Sequence, residues 1–103
     1  MHNLILITAK DKKEADKIAR ALLKHKLAAC VNILPSVKSL FWWQGKITQA
    51  KEALLIVKSK KEKFKKIVKL VKSMHSYTVP EIIAIPITSG FKPYLNWINE
   101  SVR

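Results

Sequence analysis

Residues Leu27–Lys58 carry two long alternating runs joined at Gln44-Gly45, and a hairpin of that length constrains the chain more than any other stretch. On the first arm Ala29, Val31 and Ile33 alternate with Cys30, Asn32 and Leu34. Pro35 interrupts, marking a bulge or bend because proline removes a ladder donor. Alternation resumes at Val37, Ser39, Phe41 and Trp43, Gln44-Gly45 supplies a turn, and Ile47 to Val57 return. With Trp43 opposite Lys46, Val31 falls near Lys58, and a bulge at Pro35 shifts that register by one residue. Each arm is about 15 residues, or roughly 50 Å at ~3.3 Å per residue, against a radius of gyration of about 13 Å for a domain of this size. The tip, Phe41-Trp42-Trp43, must project or curl away from the body, and a bare aromatic tip is an aggregation hazard. The returning arm is apolar on both parities, Leu54 and Ile56 on one, Leu55 and Val57 on the other. Strands of that kind are buried on both faces. Together these features predict a homo-oligomer in which the arm packs on a neighbouring copy.

The flanking segments supply the rest of one sheet. Leu4–Ile7 is an aliphatic run short enough for a buried strand. Asp11 opens a helix, with Glu14 three residues on as in a capping box, and Ala15, Ile18, Ala19, Leu22 and Leu23 form its apolar stripe. Lys24–Lys26 close it with charge suited to the carbonyl end of the helix dipole. Ser59 and Glu62 have a second capping-box spacing, and Phe64, Ile67, Val68, Val71 and Met74 are the stripe of a second helix. The lysines around that stripe, Lys60 to Lys72, read as a solvated face, with phosphate binding as the minority alternative. A polar loop, His75 to Glu81, then feeds a strand Ile82–Ile87, whose Pro86 points to an edge or bulge. Pro93 suits the first turn of a last short helix carrying Tyr94, Leu95, Ile98 and Val102. The order β-α-β-β-α-β plus a C-terminal helix predicts an α+β fold, the ferredoxin-like split βαβ sandwich with a long hairpin. A chain of 103 residues is expected to form one such domain, residues 1–103.

Composition narrows the function classes. Twenty basic residues, all lysine except Arg20 and Arg103, face seven acids for a net charge of +13. Such a charge implies solubility and a weak attraction to polyanions. It does not imply specific nucleic-acid reading, where arginine is the preferred base contact. The RNA-binding version of this fold needs exposed aromatics on its first and third strands, and neither strand has them. The lone Cys30 excludes an intrachain disulfide, and no apolar run is long enough for a membrane span, so no membrane partner and a cytoplasmic location are expected. Only Gly45 and Gly90 are present, so no glycine-rich phosphate loop exists, and no HExxH, CxxC or EF-hand spacing appears. No Ser-His-acid arrangement stands out, and Thr8–Lys10 lacks the arginine an acylphosphatase-like site needs; an enzyme is not expected.

The stretches LAACVNILPSVKSLFWWQGKI, EALLIVKS, HSYTVPEIIAIPI and YLNWI together resemble the CutA family, the divalent-cation tolerance proteins. The most specific pieces are Leu27–Asn32, the Trp-x-Gly-Lys turn at Trp43–Lys46 and His75-x-Tyr77-x-x-Pro80-Glu81. The resemblance implies a tight homotrimer whose hairpin arms extend each sheet into the next subunit. It implies a role with copper and other divalent cations, without enzymatic activity, and an architecture similar to the PII sensors, which bind small effectors between subunits. Some relatives carry a cysteine where this chain has Ile7, and a His-His pair at Met74-His75. Of that ligand set only His75 remains; His75 and the lone Cys30 are the candidate metal ligands, and the candidate cleft residues are Lys58, Tyr77, Glu81 and Trp43. Each has a plainer reading. Cys30 suits a buried strand thiol, His75 can cap helix carbonyls, Tyr77 can be a hydrogen-bonded core residue, and Glu81 can pair with a lysine. Lys58 ends an apolar run and must reach water, an acid or an anionic ligand. Copper or another divalent cation is the expected ligand; a PII-like sensor of a small anion is the alternative.

Overall fold

The aliphatic run Leu4–Ile7 lies in β1 (His2–Ala9), an inner strand of a four-stranded sheet in the computed structural model, which describes every residue from Met1 to Arg103. Around it lie α1 (Lys12–Lys24), β2 (Cys30–Trp43), β3 (Lys46–Lys60), α2 (Phe64–Met74), β4 (Ile82–Pro86) and α3 (Lys92–Ser101), with a single 3-10 turn at Lys61–Lys63. The strand order is β2-β3-β1-β4 with every neighbour antiparallel. The α1 crossover thus returns β2 outside β3, the split βαβ connection. No helix is long and apolar enough to cross a membrane.

The period of two sorts the side chains between faces. Ile5, Ile7 and Ala9 of β1 and Ala53, Leu55 and Val57 of β3 are fully buried against Ala15, Ile18 and Leu22 of α1 and Ile67 and Val71 of α2. The opposite parity, Leu4, Leu6, Leu54 and Ile56, is only half-buried, and Ile83 and Ile85 of β4 are 49% and 46% exposed. Helix α3 contacts β3 and shields part of this second face, burying Ile98 completely. His2 Nε2 meets Asn99 Oδ1 at 2.9 Å there.

The hairpin takes the register its turn dictates. Trp43 pairs with Lys46, and Gln44 (φ 50°) and Gly45 (φ 76°) occupy the left-handed region that a two-residue type I′ turn requires. The ladder slips between Leu34 and Val37, at Pro35-Ser36, so Val31 meets Val57 and Cys30 meets Lys58. The slip inverts the facing of β2: Val37, Ser39, Phe41 and Trp43 lie on the same side as Leu54 and Glu52. The arm carries the molecule's long dimension, 44 Å against 26 and 22 Å, and ends in Trp42 and Trp43, 73% and 61% exposed. Pro86 sits on edge strand β4 opposite Asn3, where its missing N–H breaks no interior ladder.

Three local expectations change. Strand β2 begins at Cys30, because Lys26 (φ 58°) closes α1 by letting the Leu27 N–H reach the Leu22 carbonyl at 3.0 Å, and Leu27 and Ala28 drop into the core. Leu23 points outward rather than joining the α1 stripe. Ser59 is no helix cap: β3 runs on to Lys60, and the fully buried Ser59 hydroxyl donates to the Leu27 carbonyl at 2.5 Å. Ser59→Ala is accordingly expected to destabilise the fold by about 1–3 kcal/mol by orphaning that carbonyl. Glu62→Ala, which would matter in a capping box, should stay within about 0.5 kcal/mol of the native chain. Denaturant midpoints of the two variants check this.

Candidate functional site

Helix α1 begins with Asp11, whose Oδ1 accepts the Glu14 N–H at 2.8 Å. Glu14 then does more than complete its own cap. Its Oε1 accepts the Lys10 N–H (3.0 Å) and the Ser76 hydroxyl (3.1 Å), and its Oε2 accepts the Ser76 N–H (2.9 Å). The carboxylate thereby ties the start of α1 to the loop between α2 and β4. Burial alone would raise its pKa, but the Lys10 and Ser76 donors and the His75 imidazole, 3.8 Å away, outweigh burial and hold it below the ordinary value of 4.5.

His75 is the second peg of the same loop. Its fully buried ring donates from Nε2 to the Thr8 carbonyl at 2.7 Å, and its Nδ1 accepts the Tyr77 N–H at 3.0 Å. Both nitrogens are engaged, so a copper ion at His75 would have to displace one of these bonds. The ring stacks at a tilt on Tyr77, centroids 4.8 Å apart. So held, Tyr77 reaches across to β3 and donates its hydroxyl to Glu52 Oε2 at 2.6 Å. Burial first, and the Glu52 carboxylate second, push the Tyr77 phenol well above its usual range.

These contacts build one wall of an open cleft of about 860 Å³ between the loop and the hairpin arm. Trp43, Tyr77 and Glu81 all line it, joined by Thr8, Phe41 and Glu52. The structure therefore brings together three of the cleft residues expected from sequence and leaves Lys58 out. Lys58 lies six residues along β3 from Glu52, about 20 Å by strand rise. There its ammonium donates to Asn32 Oδ1 and stands 3.9 Å from the sulfur of half-buried Cys30. Tyr94 of α3 closes that cluster, its phenol pushed up by burial and then by the Cys30 sulfur. Cys30 and His75 thus belong to separate places. No group of three His, Cys, Asp or Glu side chains is placed to hold a metal ion within one chain.

Sequence reasoning missed Glu52, Glu14 and Ser76. Glu52 was findable, as the only acid on either arm of the hairpin, once the bulge is allowed to bring the tip aromatics to its side. The Glu14–Ser76 tie spans 62 residues and had no local signal.

The Glu14 tie has a pH signature. A lowered folded-state pKa means its stabilisation is full well above pH 4.5, erodes as the unfolded chain begins to bind the proton, and is gone below the folded value. Glu14→Gln should cost about 1.5–3 kcal/mol at pH 7, and the gap between native and variant stabilities should close as pH falls from 5 to 3. Denaturation curves across that range check it; a gap that widens toward acid contradicts the assignment.

The profile of the CutA1 divalent ion tolerance protein matches residues 3–101. The divalent-cation tolerance protein CutA of Archaeoglobus fulgidus is 57% identical over 103 residues, covering all of both chains. A structure described as the periplasmic divalent cation tolerance protein CutA from that organism superposes with a TM-score of 0.97 at 55% identity over the full length of both. The divalent cation tolerance protein of Thermus thermophilus gives a TM-score of 0.98 at 44% identity, again over both whole chains. CutA1 from Oryza sativa gives 0.96 at 38% identity, covering 99% of this chain and 94% of that one. With the hairpin, the pegged loop and the aromatic tip all in place, the chain belongs to the CutA1 divalent ion tolerance family.

Proposed function

We propose that this protein is a homotrimer that binds divalent cations, without catalysis, in the cleft between the His75–Glu81 loop and the hairpin arm, each cleft completed by a neighbouring subunit. The observation that carries the reading is a local reversal of charge. The chain has twenty basic residues and seven acids, yet the cleft is lined by Glu52 and Glu81 and by no lysine or arginine. A site built that way in a chain of net charge +13 concentrates cations against the field of the whole molecule. Carboxylate, hydroxyl and phenol oxygens suit hard divalent ions, and copper(II) is accommodated by oxygen donors as well, though it favours imidazole. The trimer is supported by the uncovered second sheet face and the exposed tip aromatics. The names of the relatives, divalent-cation tolerance proteins, support the cation reading without specifying the metal. The PII-like alternative, a small anion met by lysine, has weaker support because Lys58 stands with Cys30 and Asn32 instead of in the cleft. A reducing cytoplasm suits the single unpaired thiol.

Titration calorimetry with copper(II), manganese(II) and calcium separates these readings. The proposal expects saturable binding of at least one ion, weakened tenfold or more by Glu81→Gln. Binding unchanged by Glu81→Gln and by Glu52→Gln, or no saturable binding of any ion, overturns it. Copper binding abolished by His75→Ala, with Glu81→Gln silent, would move the metal to the imidazole.

A further inference from the structure

Neither the cleft nor the trimer uses the strongest charge feature of the molecule, the outward surface of its helices. On α1, Lys13, Lys17, Arg20 and Lys24 follow at intervals of four, three and four residues; on α2, Lys65, Lys69 and Lys72 follow at four and three. All seven are exposed. At 3.6 residues per turn each row lies about 150° around its helix from the buried residues, Ile18 and Leu22 on α1 and Ile67 and Val71 on α2. Both helices pack on one sheet face and touch each other, so the two rows run side by side on the surface farthest from the sheet. Arg20 with Asp16, at 2.8 Å, is the one lysine or arginine ion pair in the chain.

Solvation alone explains this pattern poorly. Lys13 and Lys17, Arg20 and Lys24, and Lys65 and Lys69 are like charges four residues apart within a helix, which destabilise it. A surface serving only solubility does better with interspersed signs. We propose that the two rows form a docking surface for the phosphate backbone of double-stranded nucleic acid, bound independently of sequence. Neighbouring helices sit roughly 8–10 Å apart, comparable to the phosphate rows bordering a duplex groove, whose widths are about 6 and 12 Å. Lysine suits this task, since it neutralises phosphates without reading base edges. An anionic membrane fits less well. Helices that lie on bilayers insert an apolar face, whereas the apolar faces of α1 and α2 are buried on the sheet and only Leu23 among their large apolar side chains is exposed.

Fluorescence anisotropy of a labelled mixed-sequence 24-base-pair duplex, titrated with the assembled protein between 50 and 200 mM NaCl, tests this. The expected result is saturable binding, with log K falling against log salt at a slope of about −4.5 to −6 as five to seven cations engage. The triple variant Lys65→Gln/Lys69→Gln/Lys72→Gln should bind at least tenfold more weakly, with a slope shallower by about 2–3. Lys10→Gln/Lys92→Gln/Arg103→Gln removes equal charge away from both the rows and the hairpin arm and should stay within twofold of native. All replaced side chains are exposed, and circular dichroism melts confirm folding. No binding at 50 mM salt, equal loss in the two variants, or cosedimentation with phosphatidylserine vesicles in the absence of duplex binding overturns the proposal.

Discussion

The inner half of strand β3 is apolar on both faces, and the two main helices, α1 and α2, cover only one of them. Ala53, Leu55 and Val57 vanish beneath α1 and α2, while Leu54 and Ile56 look onto a face that α3 covers only in part. Burying an aliphatic side chain fully contributes about 1.5–3 kcal/mol, so a row of half-covered leucines and isoleucines is a large unused driving force. The hairpin extends the same deficit outward, because Phe41, Trp42 and Trp43 stand at the end of an arm with nothing of their own chain beyond them. The proposed trimer would relieve this imbalance, and it is the arrangement that the family resemblance supplies for it.

The same constraint shapes the cleft. Since the arm leaves the body, a gap opens between it and the α2–β4 loop, and that loop must be held without the support of a covering layer. Glu14 and His75 hold it, each through backbone contacts reaching a different part of the chain: Lys10 and Ser76 for the carboxylate, Thr8 and Tyr77 for the ring. Tyr77 is then fixed well enough to bond Glu52 across the gap. His75 accordingly acts as a post of the cleft wall, and the polar groups facing the cleft are carboxylates, hydroxyls and a phenol.

Most of the fold was legible in the sequence because its cues are local. The Gln44-Gly45 turn and Pro35 set the register of the hairpin, and the helical periods marked α1 and α2 correctly apart from Leu23. What escaped depended on distance. Ser59 looked like a cap because its partner, the Leu27 carbonyl, lies 32 residues away. Glu14 looked like a cap and is one, but its second role waits on Ser76 arriving from α2. Lys58 looked like a cleft residue because strand periodicity fixes which face a side chain occupies and says nothing of which end of the sheet holds the cleft. The bulge mattered most: a one-residue slip moved Phe41 and Trp43 to the face of Glu52, and no count of alternating residues specifies that without knowing where the slip occurs.

In the proposed trimer, only other copies of the chain complete this sheet. Sedimentation equilibrium at low micromolar concentration tests it directly. A trimer gives a single species of about 35 kDa, three times the 11.8 kDa chain. A stable, soluble monomer of 11.8 kDa would contradict it.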